Sequence, residues 1–272
     1  MGPKKAKNAK GRVLAIGGSD PGAGAGVQAD LKSVGALGGY ALTAITAVTV
    51  QDTKGVRQVF QVPARVVDAQ ARVVLADIGA DAVKTGMLGS AETVRAVAGL
   101  LEGPAKRLPV VVDPVLASTS GAALLEPGAL KLFRSRLIPL ATVITPNLPE
   151  AQALTGIACD TLDDRRRAAE ALLAMGAQAV LVKGGHAKGG MVVDLLVTPD
   201  GETLFEGPRL KTRHTHGTGC TLASAIATGL AFGLPLVEAV SQAWAYTAEA
   251  IRQAPGLGKG HGPLGHDWRT RP

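Results

Sequence analysis

The residues of this 272-residue chain best suited to chemistry stand singly, each at the end of a short apolar run. Asp20 follows Arg12–Ile16, Gln51 follows Leu42–Val50, and Lys84 closes Ala82–Lys84. Asp113 follows Val110–Val112, Asn147 comes after Val143–Ile144, and Lys183 follows Ala179–Val182. Val/Ile-rich runs separated by longer helical patterns are the signature of strand–helix–strand units on a mostly parallel sheet. In such a sheet ligands bind beyond the carboxyl ends of the strands, so the six polar groups are expected to converge on one crevice. Any one of them alone would equally be a turn residue that ends a strand.

A local signal lies in Thr215-His216-Gly217-Thr218-Gly219-Cys220-Thr221, which leads into the apolar run Leu222–Leu230. Glycines at a helix start let the backbone approach a ligand closely, and the free N–H groups there favour negative charge. The segment fits a phosphate-binding or oxyanion-stabilising loop, or else a helix start whose small residues serve close packing. Cys220 falls in the first helical turn, where the dipole and any nearby cation lower a thiol below its usual ~8.5. The sequence thus predicts a thiolate able to take a proton from a substrate hydroxyl, against the alternative of an inert buried cysteine. Cys159 has no such setting. Two cysteines are too few for a disulfide framework, and a reducing cytoplasm is the expected compartment.

The opening loop Gly17 to Gly26 fails the dinucleotide test, because Val27 stands where G-x-G-x-x-G requires glycine. No G-x-x-x-x-G-K-[ST] sequence occurs either, so a nucleoside triphosphate would be held by something other than a P-loop. His186, His214, His216, His261 and His266 lack paired-ligand spacing and are expected at the surface or behind the site. Asp113, with Asn147 and Glu150 three residues apart on a loop entering a helix, offers hard oxygen ligands of the kind Mg²⁺ accepts. Asn-x-x-Glu is also what a helix cap with an acidic first turn looks like.

Several elements must position these groups. Val27, Leu31 and Val34 recur at helical spacing and predict an apolar stripe, with Asp30 on its shoulder. Met191–Val197 and Glu202–Phe205 flank a Pro-Asp-Gly turn and predict an antiparallel hairpin, so the sheet is mixed. The closing third reads as helices over about 218–232 and 236–252, followed by a Gly-rich segment from Gly256 to Gly265. Hydrophobic residues make up 46% and charged residues 19%, enough for a folded core, while 3% aromatics leave Val, Leu, Ile and Ala to fill it. Of the net charge of +7, Lys4, Lys5, Lys7, Lys10 and Arg12 supply five, so the remainder is nearly neutral and argues against nucleic acid as a partner. Residues 1–11 read as a disordered basic tail and 12–272 as a single domain. There is no apolar core to a leader peptide and no run approaching ~18 apolar residues, so a soluble protein off the membrane is expected.

With those residues in place, the sequence from Arg12 to His266 resembles the hydroxymethylpyrimidine and phosphomethylpyrimidine kinases of thiamin biosynthesis, in the ribokinase-like superfamily. The matching stretches are Gly18-Ser19-Asp20-Pro21, Gly24 to Lys32, Thr46 to Gln51, Lys84-Thr85-Gly86-Met87-Leu88 and Val112-Asp113-Pro114-Val115. Thr145 to Glu150, Lys183-Gly184-Gly185-His186 and Thr215 to Thr221 complete them. The resemblance implies a three-layer α/β/α sandwich around a mostly parallel sheet, assembled as a homodimer. It implies ATP and Mg²⁺ as cofactors and successive phosphorylation of a hydroxymethylpyrimidine to its monophosphate and diphosphate. By matching positions, Gly18, Asp30, Gln51, Met87 and Val115 line the pyrimidine pocket, and Gly217, Thr218, Gly219 and Cys220 form the anion hole, with Cys220 as base. Asp113, Asn147 and Glu150 organise Mg²⁺ and phosphate, while Lys183 and the segment holding Lys259 border the nucleotide. Most ribokinase-like sugar kinases carry aspartate at the position of Cys220, and Ser19 stands where some family members have threonine. A pyridoxine or pyridoxal kinase of the same superfamily is the alternative.

Overall fold

Strand residues in this chain alternate between two apolar layers, and that alternation sets the architecture. The computed structural model describes residues 11–118, 121, 123–187 and 189–269. Its strands are β1 (Arg12–Ser19), β2 (Tyr40–Asp52), β3 (Gly55–Gln61), β4 (Ala82–Thr85) and β5 (Val110–Val112), then β6 (Val143–Ile144), β7 (Val180–Val182), β8 (Met191–Thr198) and β9 (Gly201–Pro208). They form one sheet in the order β3-β2-β1-β4-β5-β6-β7-β8-β9. The strands from β2 to β7 in that order run parallel, and β3, β8 and β9 are antiparallel additions at the two edges.

Because successive side chains point to opposite faces, Leu14, Val83, Val110, Val112, Ile144 and Val182 pack into one layer, and Val13, Ala82, Val111, Val143 and Leu181 into the other. The first layer is covered by α2 (Ala64–Asp77), α3 (Ala91–Glu102), the single turn α4 (Ala129–Leu132), α5 (Leu148–Thr155) and α6 (Leu162–Ala174). The second is covered by α1 (Gly26–Ala36), α7 (Thr218–Ala231) and α8 (Leu236–Arg252). This is the three-layer α/β/α sandwich that the sequence leads one to expect.

The chain leaves β1 toward β2 on one side and returns to β4 on the other, which makes the β1/β4 boundary the switch point where a ligand crevice opens. Two local expectations are corrected. In α1 the buried face is Val27, Ala29, Asp30, Ser33 and Val34, while Leu31 is exposed, so Asp30 lies at the centre of the helix–sheet contact and not on its shoulder. Gly11 belongs to the folded unit, since it is buried and its carbonyl accepts the Tyr40 N–H at 2.9 Å. Residues 1–10 of the expected tail lie outside the described residues.

Candidate active site

The carboxyl ends of the strands open into one cavity of about 1070 Å³. Asp20, Gln51, Lys84, Asp113, Asn147 and Lys183 all line it, so the six strand-end groups do converge. At one end stand Gly18, Gln51, Met87, Val115 and His216; at the other are β8–β9 residues and one face of α8 with Trp244 and Thr247. Between them lie Asp113, Lys183 and the first turn of α7.

The start of α7 is built for close approach. Gly217 caps the helix in the left-handed region (φ +85°), and a side chain there would overlap the Gly24 carbonyl, so the two glycine loops interlock. Thr218 turns both its N–H and its hydroxyl back to the Thr215 carbonyl, at 3.3 and 2.8 Å. The first helical bond runs from Thr221 N–H to the Gly217 carbonyl at 2.9 Å. Helix geometry therefore leaves the Gly219 and Cys220 N–H groups for an anion. Of the four residues expected to form an anion hole, Gly219 and Cys220 keep free backbone donors, while Gly217 and Thr218 shape the turn. A Cβ at Gly219 would lie 3.1 Å from Lys183 Nζ, so the ammonium borders the same spot.

Lys183 Nζ donates to Asp113 Oδ1 at 3.0 Å and stands 4.0 Å from Glu150 Oε2. Asn147 and Glu150 form a capping box at the start of α5: Asn147 Oδ1 accepts the Glu150 N–H at 2.9 Å, and Glu150 Oε2 accepts the Asn147 N–H at 2.7 Å. Asn147 is a cap before it is a ligand, and its contribution is to fix Glu150. Burial pushes the Glu150 carboxyl up to about 7 against the pull of Lys183. Among the described residues no three His, Cys, Asp or Glu side chains cluster as a metal cage. Mg²⁺ needs only one or two carboxylates when phosphate oxygens and water supply the rest, and Asp113 with Glu150 fits that demand.

Burial also pushes the Cys220 thiol up to about 11, although Lys84 and the Gly26 N–H pull the other way. This overturns the expected resting thiolate: desolvation outweighs the helix start. Asp30 is corrected as well. It is fully buried, lies beneath the cavity floor, and spends its carboxylate on Lys84 Nζ (2.8 and 3.0 Å) and the Ser224 hydroxyl (2.7 Å). It faces these partners, not the cavity. Lys259 is exposed and off the cavity wall, because its segment is tied to the β2–β3 turn through Gly260 N–H to Thr53 Oγ1 (3.1 Å) and His261 N–H to the Thr53 carbonyl (2.8 Å).

Two further groups that the sequence analysis gave no site role line the cavity. His216 lines the cavity, and its Nε2 is 2.9 Å from Asp20 Oδ2. Burial opposes it, yet the His216 ring and the N–H groups of Ala25 and Gly22 hold the Asp20 carboxyl below its usual range. An ionised Asp20 accepts only, so His216 Nε2 carries the hydrogen. The Gln51 amide nitrogen placed 3.1 Å from that Nε2 would set donor against donor, so the amide is assigned with its oxygen toward the ring. Thr49 Oγ1, which donates to the Ser19 carbonyl at 2.9 Å, then accepts from the Gln51 amide nitrogen 3.3 Å away. Arg209 is the second: its guanidinium donates to the carbonyls of Gly185 (2.6 Å), Ala187 (2.7 Å) and Gly189 (2.9 Å), anchoring the loop after β7 at the cavity's far end. His216 sits within the Thr215–Thr221 segment, yet nothing in its type or spacing marks its bond to Asp20, and nothing marks Arg209.

Residues 20–265 match the family model described as phosphomethylpyrimidine kinase. The chain belongs to the phosphomethylpyrimidine kinase family. It is therefore a phosphotransferase. A hydroxymethylpyrimidine/phosphomethylpyrimidine kinase of Streptomyces coelicolor is 52% identical over 256 residues, covering 94% of each chain. The crystal structure of a phosphomethylpyrimidine kinase from Clostridium difficile is 41% identical with a TM-score of 0.78, over 88% of this chain and 99% of that one. A pyridoxal kinase of Staphylococcus aureus, solved with AMP-PCP and pyridoxal, superposes with a TM-score of 0.88 at 35% identity over 97% and 96% of the two chains. A kinase must seat two substrates side by side, and the elongated cavity with a glycine-lined helix start near its middle is compatible with that.

Proposed function

We propose that this kinase transfers the γ-phosphoryl group of ATP to the hydroxymethyl group of 4-amino-5-hydroxymethyl-2-methylpyrimidine, and then a second phosphoryl group to the resulting monophosphate, in thiamin biosynthesis. The observation that carries the reading is the Gly219/Cys220 N–H pair beside Lys183 and Asp113, midway between the two ends of the cavity. Phosphoryl transfer needs positioning and charge stabilisation more than covalent chemistry, and N–H donors at a helix start with an adjacent ammonium supply both. Gln51, held by His216 and Thr49, keeps one N–H and one lone pair for the amino and ring-nitrogen edge of the pyrimidine. The nucleotide lies toward β8, β9 and α8. Asp113 and Glu150 would hold Mg²⁺, which when bound offsets phosphate charge. Cys220 is placed to take the hydroxyl proton once its own has left.

The deciding experiment is ADP release from Mg·ATP with purified protein and, in turn, the hydroxymethylpyrimidine, its monophosphate and pyridoxal. Turnover of both pyrimidines is expected. Preference for pyridoxal by kcat/KM would replace this reading with the pyridoxal kinase one.

Two expected outcomes test the parts. Gln51→Ala should weaken pyrimidine binding by about 1–3 kcal/mol, since its partner atoms lose their hydrogen bonds, with ATP affinity nearly constant. Calorimetry giving equal pyrimidine affinity would remove Gln51 from the pocket. The Mg²⁺ concentration for half-maximal rate should fall as pH rises through about 7, because Glu150 must be ionised to hold a cation and burial holds its proton to that pH. Glu150→Gln should raise the requirement and flatten its pH dependence; a requirement unchanged in the variant would leave Glu150 as a helix cap alone.

We further propose a homodimer in the cytoplasm. Val48, Val50 and Phe60 share one exposed face of the β2–β3 edge, Phe60 directly opposite Val48, which suits contact with a second copy. Both cysteines are free thiols, as a reducing compartment allows.

A further inference from the structure

The ion pair under the cavity floor is unused by the reading above. Lys84 is 1% exposed, yet it lines the cavity, and its ammonium is gripped by both oxygens of Asp30. The Ser224 hydroxyl donates to the same carboxylate at 2.7 Å. Ser224 is four residues after Cys220 on α7, so the two side chains stack on one face, one helical turn apart. The Asp30–Lys84 pair, anchored by Ser224, is therefore tied to the same face of α7 as the thiol, and Lys84 lines the same cavity as Cys220. A buried ion pair carries a desolvation cost that its attraction does little more than offset, and it is weak evidence for a stability role.

We propose that Lys84 is a positioning residue for Cys220: its ammonium, held in place by Asp30 and Ser224, stabilises the thiolate that accepts the substrate's hydroxyl proton. In the step, the substrate O–H bond breaks as its oxygen bonds to phosphorus, and the proton goes to sulfur. ADP leaves with the electron pair of the broken P–O bond. Lys84 neither gives nor takes a proton.

The charged groups that face Cys220 are Lys84 from β4, Asp30 from α1, Asp113 beyond β5 and Lys183 beyond β7. Lys84 acts more strongly on the thiol than Asp30 does, and in the opposite sense. That difference in sign separates this role from a structural one. Loss of packing would disturb Cys220 in the same direction whichever partner is removed, whereas an electrostatic role moves the thiol up without the ammonium and down without the carboxylate.

The inference rests on Cys220 as base, but its test does not. The experiment is the pH dependence of Cys220 alkylation by iodoacetamide in the full-length protein without substrates, read at the Cys220 peptide by mass spectrometry. Lys84→Met should cut the alkylation rate at a given pH by about tenfold or more, and Asp30→Asn should raise it. Should Lys84→Met leave Asp30 too unsettled for folding, the neutral double variant Lys84→Met/Asp30→Asn should still alkylate more slowly than wild type, because the larger of the two influences is gone. The pH at which kcat climbs with thiolate formation should move with the alkylation profile, upward for Lys84→Met and downward for Asp30→Asn. Alkylation profiles that coincide with wild type, or that shift the same way for Asp30→Asn and the double variant, would overturn the proposal. Loss of a base role for Cys220 would show separately, as an active Cys220→Ala enzyme.

Discussion

Replacement of Gly217 by alanine is expected to lower kcat by roughly 10³-fold or more, the range lost with a comparable oxyanion donor and more besides. The residue sits at φ +85°, where an L side chain is strained, and its added Cβ would overlap the Gly24 carbonyl oxygen. The helix start cannot stay where it is. The Gly219 and Cys220 N–H groups would swing off the phosphoryl position, and Gly24, fixed by Asp20 Oδ2 at 3.1 Å, would be displaced with the opening loop. The end of the cavity lined by the opening loop depends on that contact, so KM for the pyrimidine should rise as kcat falls. Stopped-assay kinetics on a variant shown to be folded by circular dichroism checks this. Activity within tenfold of wild type would mean that the interlocked glycines are not the anion site.

Cys220→Ala should cost about 10²-fold in the first phosphorylation near neutral pH, the lower part of the range for general bases. The loss should grow with pH. Burial holds the thiol up to about 11, so the thiolate fraction, and with it the wild-type rate, climbs about tenfold per pH unit below that value. The variant, lacking the group, should show no such climb. The backbone donors remain, so nucleotide affinity should change little. The second phosphorylation should suffer less, because a phosphate monoester is already ionised and needs no base, and a thiolate beside it would be repulsive. Rates measured separately on the pyrimidine and on its monophosphate, from pH 6 to 9, decide the matter. Equal loss of both steps would defeat the distinction between base and anion hole. A variant within twofold of wild type would move proton removal elsewhere, Asp113 being the carboxylate nearest Gly219.

Much of this site was legible before any coordinates. A polar residue at or just beyond the end of a short apolar run stands near a strand end, and parallel strands present all such ends to one edge, so Asp20, Gln51, Lys84, Asp113, Asn147 and Lys183 could be grouped without knowing the strand order. The Gly-x-Gly-Cys helix start was equally visible, because only glycine permits the turn. The edge strand β3, Gly55–Gln61, was not anticipated: none of its residues is fully buried, so it carries no buried stripe to announce it. Asp194 escaped too. It lines the cavity from an antiparallel strand, accepting the Gly184 N–H at 2.6 Å, where the strand-end rule does not apply.

What only the tertiary structure decided is which groups face the cavity and which charge state they hold. Helical spacing placed Asp30 near the sheet but could not say that a lysine 54 residues away would claim both its oxygens. Asn147-x-x-Glu150 is the same string whether it caps a helix or meets a cation, and here the cap is formed first. The thiol of Cys220 was read from its own helix, which favours ionisation, whereas the desolvation that holds its proton comes from groups on other elements packed around this half-buried side chain. Sequence position fixes neighbours along the chain; solvation and pairing are sums over neighbours in space, and those exist only once the sheet has closed between its two helical layers.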